Sequence, residues 1–349
     1  MMPEEIIHEM RISANQLTLL RILLLPFPLF LVYGGPWSRM AAILAYTILG
    51  ITDYLDGLLA RRDGPTKLGA MLDPIADKIF IAVTLVPLVE LQIVPLWLAW
   101  LVFLREYLVT ELRRFMTGLN RPLAVTELAK LKTTLQMIGM GLILLTDTFP
   151  DKIATGFCLA GALIATVFLA IAIHWKEGAI SSRLKSALLF LGVGLGLLLW
   201  LNARGVILAY MAVIVGITMV SGAQYVRIGL PACFKKGPGA VTMLLSGICV
   251  PLLPLALMNH VQGITVWLLI FLLSSEFASQ ALEMWLHPDG HSLSVRIKNM
   301  VALSLILAAW FGAVRFGLPV DSVVWVGAVV SGGFTIWNLA CCVRTGQCG

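Results

Sequence analysis

About twelve apolar stretches, most of them about 20 residues long, follow one another along this chain: 16–34, 39–60, 68–90, 93–113, 132–147, 154–174, 184–202, 205–226, 239–258, 263–286, 298–314 and 319–343. A helix of about that length crosses the ~30 Å hydrocarbon core of a bilayer, where only helices and closed barrels can satisfy every backbone polar group. The expected fold is therefore an all-α integral membrane protein, a polytopic helix bundle. Composition agrees, since 59% of the 349 residues are apolar and 13% are charged, against roughly a quarter charged in a soluble domain.

The segment ahead of the first stretch, MMPEEIIHEMRISANQ, is mixed in charge and has no small-residue cleavage site, so no removable signal peptide is expected. Cys158, Cys233, Cys249, Cys341, Cys342 and Cys348 form neither a CxxC pair nor a Cys/His ligand spacing and are read as packing residues. The net charge of +6 has a membrane explanation that leaves no role for nucleic acid. With the amino terminus in the cytoplasm, Arg61, Arg62, Lys67, Arg113, Arg114, Arg121, Lys130, Lys132, Lys235 and Lys236 all fall inside. Only Arg39, Lys152, Arg204 and Arg315 fall outside, as the positive-inside rule requires, and both termini are expected to be cytoplasmic.

Against this background the stretch TDYLDGLLARRDGPTKLGAMLDPIADK, residues 52–78, stands out. A carboxylate near hydrocarbon is costly and usually faces a cavity or an ion. Residues three and four apart share a helix face, so Asp53, Asp56, Gly57 and Ala60 form one stripe, and Gly69, Asp73 and Asp77 form another on the next helix. If the two stripes face each other, four carboxylates repel unless cations neutralise them. Two Mg²⁺ or Mn²⁺ ions suit such all-oxygen donors and would clamp a pyrophosphate for in-line displacement at phosphorus. The small side chains at 57 and 60 admit a bulky ligand, and Arg61 is placed to meet a phosphate. Any one of these acids alone would read as a solvated helix end; the joint spacing DxxDGxxAR…GxxxDxxxD is what points to a metal site.

That spacing resembles the signature of the CDP-alcohol phosphatidyltransferase family, integral membrane enzymes that move a substituted phosphate from a CDP-linked donor to an alcohol. The resemblance implies a six-helix core in which Asp53, Asp56 and Asp73 ligate two divalent ions, while Asp77 also ligates metal and acts as general base. It implies that Gly57, Ala60, Arg61, Thr66 and Gly69 contact the CDP moiety, that the enzyme sits in the bacterial cytoplasmic (inner) membrane with its site facing the cytoplasm, and that it is a homodimer. NQLTLLRILLLP (15–26), REYLVTELRR (105–114) and AKLKTTLQM (129–137) resemble the branch that uses glycerol 3-phosphate as acceptor and CDP-diacylglycerol as donor. Arg105, Arg113, Lys130 and Lys132 would then supply the cationic pocket that a phosphate-bearing acceptor needs. The bland reading of Arg113, Arg114, Lys130 and Lys132 is that they only satisfy the positive-inside rule, and it is the one preferred for Arg114 and Arg121. Inositol phosphate, serine and phosphatidylglycerol stand as alternative acceptors. A secondary transporter is the remote alternative, because transporters place their ionisable residues near the midplane rather than crowded at one face.

The core is expected within 1–175. ITMVSGAQYVRIG (217–229) resembles the end of a sixth core helix and would extend the core to 230, with 150–203 as an inserted pair; the alternative closes the core with 154–174. Residues 176–349 are otherwise additional transmembrane helices of unassigned role. LLSSEFASQALE (272–283) faintly echoes LGITDYLDGLLA (49–60), as a decayed copy or by chance, and His287 and His291 read as solvated turn residues.

Overall fold

The structure, a computed structural model, describes residues 13–64, 66–124, 126–177, 182–256, 258, 264–286 and 321–344, together with the single residues 301, 305, 309, 315 and 319. Apart from residues 301, 305 and 309, the expected span 298–314 lies outside the described residues, as do His287, His291 and Cys348. Among the described residues the chain forms helices and no strand: α1 (Ala14–Leu24), α2 (Pro26–Val32), α3 (Pro36–Asp63), α4 (Lys67–Glu90), α5 (Leu96–Thr117), α6 (Glu127–Thr148), α7 (Lys152–Glu177), α8 (Ser182–Trp200), α9 (Ala203–Lys236), α10 (Pro238–Ala256), α11 (Ile264–Leu286) and α12 (Asp321–Arg344). Two segments, Ala14–Val32 and Ala203–Lys236, are long and apolar enough to cross a bilayer by length and composition, and shorter apolar helical stretches accompany them.

Local chemistry sets the helix ends. Ser13 caps α1 through a reciprocal pair, its Oγ accepting from the Gln16 N–H at 3.3 Å while Gln16 Oε1 accepts from the Ser13 N–H at 3.0 Å. The stretch read as one span over 16–34 is a span-length segment, Ala14–Val32, made of two helical pieces that meet at Leu25, because Pro26 and Pro28 bring no N–H to continue the ladder. Gly64, with φ +85°, ends α3 in a conformation that a side chain would resist. At α9 the difference runs the other way. The expected end near residue 226 gives way to a helix that continues through Pro231 to Lys236.

The chain divides into two compact units, Met1–Gly69 with Glu127–Ile217, and Ala70–Thr126 with Thr218–Gly349. In the first, α3 packs against α1, α2 and α6, and α7 and α8 pack against each other and against α6. The Tyr210 ring stacks on Phe190 at 5.3 Å and lies over Gly194, which has no side chain to displace it. Arg39 Nη1 donates to Asp147 Oδ2 at 2.9 Å, and Lys152 Nζ donates to the Leu199 carbonyl at 3.2 Å. Each pair joins the start of one helix to the end of another. Trp37, Trp175 and Trp200 stand at helix ends with 88%, 87% and 86% exposure, the place of an interfacial aromatic belt.

In the second unit α5 is the enclosed element: Ala99, Val102, Phe103, Tyr107 and Leu112 are fully buried. It packs against α10 and α11. Tyr107 stacks on Phe277 at 4.2 Å and donates its hydroxyl to the Leu273 carbonyl at 3.0 Å. The helices α11 and α12 meet through small and hydroxylated residues, the kind of seam that replaces hydrophobic driving force within lipid. Ser275 Oγ lies 2.7 Å from Ser331 Oγ, Thr335 Oγ1 donates to the Ser275 carbonyl at 3.0 Å, and a side chain at Gly332 would come within 2.7 Å of the Phe271 ring. Gly332→Leu is expected to lower the melting temperature of the purified protein in detergent by several degrees, with Ser331→Ala costing less, about 0.5–1 kcal/mol. Unchanged melting of Gly332→Leu would contradict this seam.

Candidate active site

The helix α3 carries Asp53 and Asp56 in its final turns, and α4 carries Asp73 and Asp77 one turn apart on one face. Asp73 is exposed, whereas Asp77 is partly buried with its Oδ1 sealed from solvent. The side chains of Asp53, Asp56, Ala60, Arg61 and Lys130, and the surroundings of Gly57, lie outside what the structure describes. Among the described residues no three potential metal ligands gather. The donor chemistry still fits a hard divalent cation, because Asp73 and Asp77 offer two carboxylates on one helical face, one open to water and one held partly inside.

Thr66 sits immediately ahead of α4 and caps it, its Oγ1 accepting from the Gly69 N–H at 3.0 Å. The same hydroxyl donates to Asn15 Oδ1 at 2.9 Å. Gly69 is where the contact is tightest, since a side chain there would stand 2.9 Å from Asn15 Oδ1 and 3.0 Å from Thr66 Oγ1. Two of the residues expected at the CDP moiety, Thr66 and Gly69, are thus brought together, and Asn15 joins them. The motif NQLTLLRILLLP is legible as a whole, yet Asn15 alone carries no signal of this role; the hydrogen bond spans 51 residues of sequence.

The second unit assembles a polar system along α5. Arg105 is buried, and its Nη1 lies 3.2 Å from Glu106 Oε1 while its Nη2 donates to Ser221 Oγ at 2.9 Å. Arg114 pairs with Glu111 at 2.7 Å, one turn away and equally buried. Arg113 Nη2 donates to the Tyr225 hydroxyl at 2.8 Å, and its guanidinium lies 4.8 Å from the centre of that ring. Lys78, which follows Asp77, donates to Thr110 Oγ1 at 2.6 Å and lies 5.1 Å from the Phe277 ring centre. Glycines at 222 and 229 let α9 approach, because side chains there would meet Arg105 Cγ at 2.8 Å and Leu112 Cδ2 at 3.1 Å. Of the four cations expected to bind an acceptor phosphate, Arg105 and Arg113 share one aromatic neighbour, Tyr225. Lys132 is buried on α6 in the first unit. Ser221 and Tyr225 are polar residues that sequence reasoning gave no role in the site; their spacing of four on one helix face was the available signal.

Comparison with known proteins gives the chain its relatives. The family model described as CDP-alcohol phosphatidyltransferase matches residues 11–175, a range that contains all four aspartates. A probable phosphatidylglycerophosphate synthase of Mycobacterium tuberculosis (strain H37Rv) is 40% identical over 160 residues, covering 44% of this chain and 76% of the relative. The CDP-diacylglycerol–glycerol-3-phosphate 3-phosphatidyltransferase of Escherichia coli K12 is 38% identical over 139 residues, covering 37% of this chain and 74% of its own length. The enzyme of the same name from Cereibacter sphaeroides is 39% identical over 137 residues, 38% of this chain and 62% of the relative. No solved structure matches the chain. A helical chain with bilayer-length apolar segments and these relatives is a membrane protein, and it belongs to the CDP-alcohol phosphatidyltransferase family, whose reaction depends on a divalent metal.

Proposed function

We propose that this chain transfers the phosphatidyl group of CDP-diacylglycerol to glycerol 3-phosphate, releasing CMP and forming phosphatidylglycerophosphate, at the cytoplasmic face of a bacterial inner membrane. The observation that carries the reading is the family match over residues 11–175 containing the full set Asp53, Asp56, Asp73 and Asp77, together with relatives whose names specify that donor and that acceptor. The distribution of lysine and arginine supports the orientation, and the run of apolar stretches supports about twelve crossings.

Asp53, Asp56, Asp73 and Asp77 would hold two Mg²⁺ or Mn²⁺ ions. Bound there, the ions would offset the charge of the donor diphosphate and of the displacement at phosphorus. Asp77, partly buried beside the exposed Asp73, takes the proton from the sn-1 hydroxyl of the acceptor as that oxygen bonds to the diacylglycerol-bearing phosphorus. The bond from that phosphorus to the CMP oxygen breaks, and CMP leaves as the anion. Gly57, Ala60, Arg61, Thr66 and Gly69 receive the CDP moiety, with Asn15 fixing the Thr66 hydroxyl at the start of α4. Arg105, Arg113, Lys130 and Lys132 form the cationic pocket for the acceptor phosphate. Donor acyl chains stay in the bilayer while the head group reaches the aspartates, which is why the acids belong near a membrane face.

The test is CMP release by the purified protein with CDP-diacylglycerol and Mg²⁺ or Mn²⁺ across a panel of acceptors. Glycerol 3-phosphate is expected to give the highest kcat/KM; turnover confined to inositol phosphate, serine or phosphatidylglycerol would replace the assignment. Asp77→Asn is expected to reduce kcat by a factor on the order of 10²–10⁴, the usual contribution of a general base, while donor binding persists. Wild-type turnover by that variant would remove Asp77 from the role of base.

A further inference from the structure

The family match ends at residue 175, yet a residue of α11 reaches the helix that carries Asp73 and Asp77. That helix, α4, contains Pro74 between the two acids. A proline brings no N–H, so the hydrogen-bond ladder of α4 lacks a rung and the helix is prone to bend at that turn. The direction in which Asp77 points therefore depends on contacts that hold α4 from outside, and the nearest of them in sequence are those of Lys78.

A lysine at the margin of a membrane ordinarily extends its ammonium into water. Lys78 is instead partly buried, and its Nζ donates to Thr110 Oγ1 at 2.6 Å. Thr110 is itself oriented, because its hydroxyl donates to the Glu106 carbonyl at 2.6 Å, one turn earlier, and so turns a lone pair to the ammonium. The same Nζ lies over the Phe277 ring, 5.1 Å from its centre, within the ~6 Å at which an aromatic face attracts a cation. Phe277 is 1% exposed and is held in turn. Its ring stacks on Tyr107 at 4.2 Å with 4° between the planes, and Tyr107 donates to the carbonyl of Leu273, one turn before Phe277 on α11.

We infer that Phe277 is a positioning residue for the transfer reaction: with Thr110 it fixes the Lys78 ammonium, and through Lys78 it fixes the rotation of α4 that aims Asp77. This rests on the role of Asp77 proposed above. Adjacent residues of a helix stand about 100° apart around its axis, so a clasp on Lys78 also sets the direction of Asp77. Asp77 lies on the carboxyl-terminal side of Pro74, in the segment that the clasp holds. Direction matters at a reacting group, because a misplacement of about 1 Å can cost on the order of 10² in rate. The carboxyl-terminal helices thereby take part in the reaction, although they lie beyond the family match.

Phe277→Leu keeps apolar bulk and removes the aromatic face. Its kcat for CMP release should fall about tenfold, with both KM values within about twofold of wild type. Lys78→Met should lower kcat by a similar factor, and adding Phe277→Leu to Lys78→Met should bring no further loss of kcat, even where the melting temperature drops, because the two side chains act through one contact. A full second loss in the double variant would assign Phe277 to packing against Tyr107 and overturn the inference. Unchanged kcat in Lys78→Met would overturn it as well, and that variant carries the test even if Phe277→Leu does not fold. A second readout needs no turnover: Mn²⁺ should bind about tenfold more weakly to either single variant than to wild type, as when the support of a metal ligand is lost. Equal affinities would refute the role in aiming Asp77. Wild-type protein that releases no CMP with any acceptor would sink the function proposed above and this inference with it, whereas an active wild type beside equally active variants would sink this inference alone.

Discussion

A charge beside hydrocarbon must be met by a counter-charge or by dense hydrogen bonding, and that requirement organises this molecule. The cations of α5 obey it inside the protein. Arg105 and Arg114 each lean on a glutamate of the same helix, and Arg105 adds Ser221. Such pairs are seldom a large net source of stability, but removing one partner strands the other and is costly. The acids of α3 and α4 are the converse case in the proposed mechanism, where the counter-charge arrives from outside as metal. Arg113 differs from both, its hydrogen bond going to the Tyr225 hydroxyl of α9.

The second half of the chain takes part in this arrangement. The relatives described above match 44% of the chain or less, and the family model stops at residue 175. Yet α5 packs against α10 and α11, and Ser221 and Tyr225 of α9 bond Arg105 and Arg113. Tyr107 stacked on Phe277, with the Lys78 ammonium near the same ring, ties α11 to the residue that follows Asp77. Removing the carboxyl-terminal helices would expose the buried charges of α5, so the extension supports the core from which it continues.

Much of the fold was legible because its signals are local. Apolar runs of bilayer length mark helices directly, and spacings of three and four put Asp53 with Asp56 and Asp73 with Asp77 on shared faces. The broken first helix is written in Pro26 and Pro28, whose missing N–H groups outweigh an apolar run that reads as continuous. Continuation of α9 past residue 226 was not legible, since Pro231 argues for an end and the helix accommodates it. Least legible were the long-range bonds. Nothing in local pattern joins Arg113 to Tyr225, 112 residues away, or Asn15 to Thr66, 51 residues away. In the same way, a count of cations near the cytoplasmic face cannot tell Arg113 from Arg114, of which, among the described residues, only Arg114 has a glutamate partner.

The central claim is that aspartates on consecutive helices hold divalent cations. Titration of metal-stripped, detergent-purified protein with Mn²⁺, read by calorimetry and by the loss of the free-ion electron paramagnetic resonance signal, tests it without recourse to turnover. The account predicts binding that saturates near two ions per chain and falls away when Asp53 or Asp73 is changed to Asn. Binding that survives both substitutions undiminished, or no binding by the wild-type protein, would contradict it.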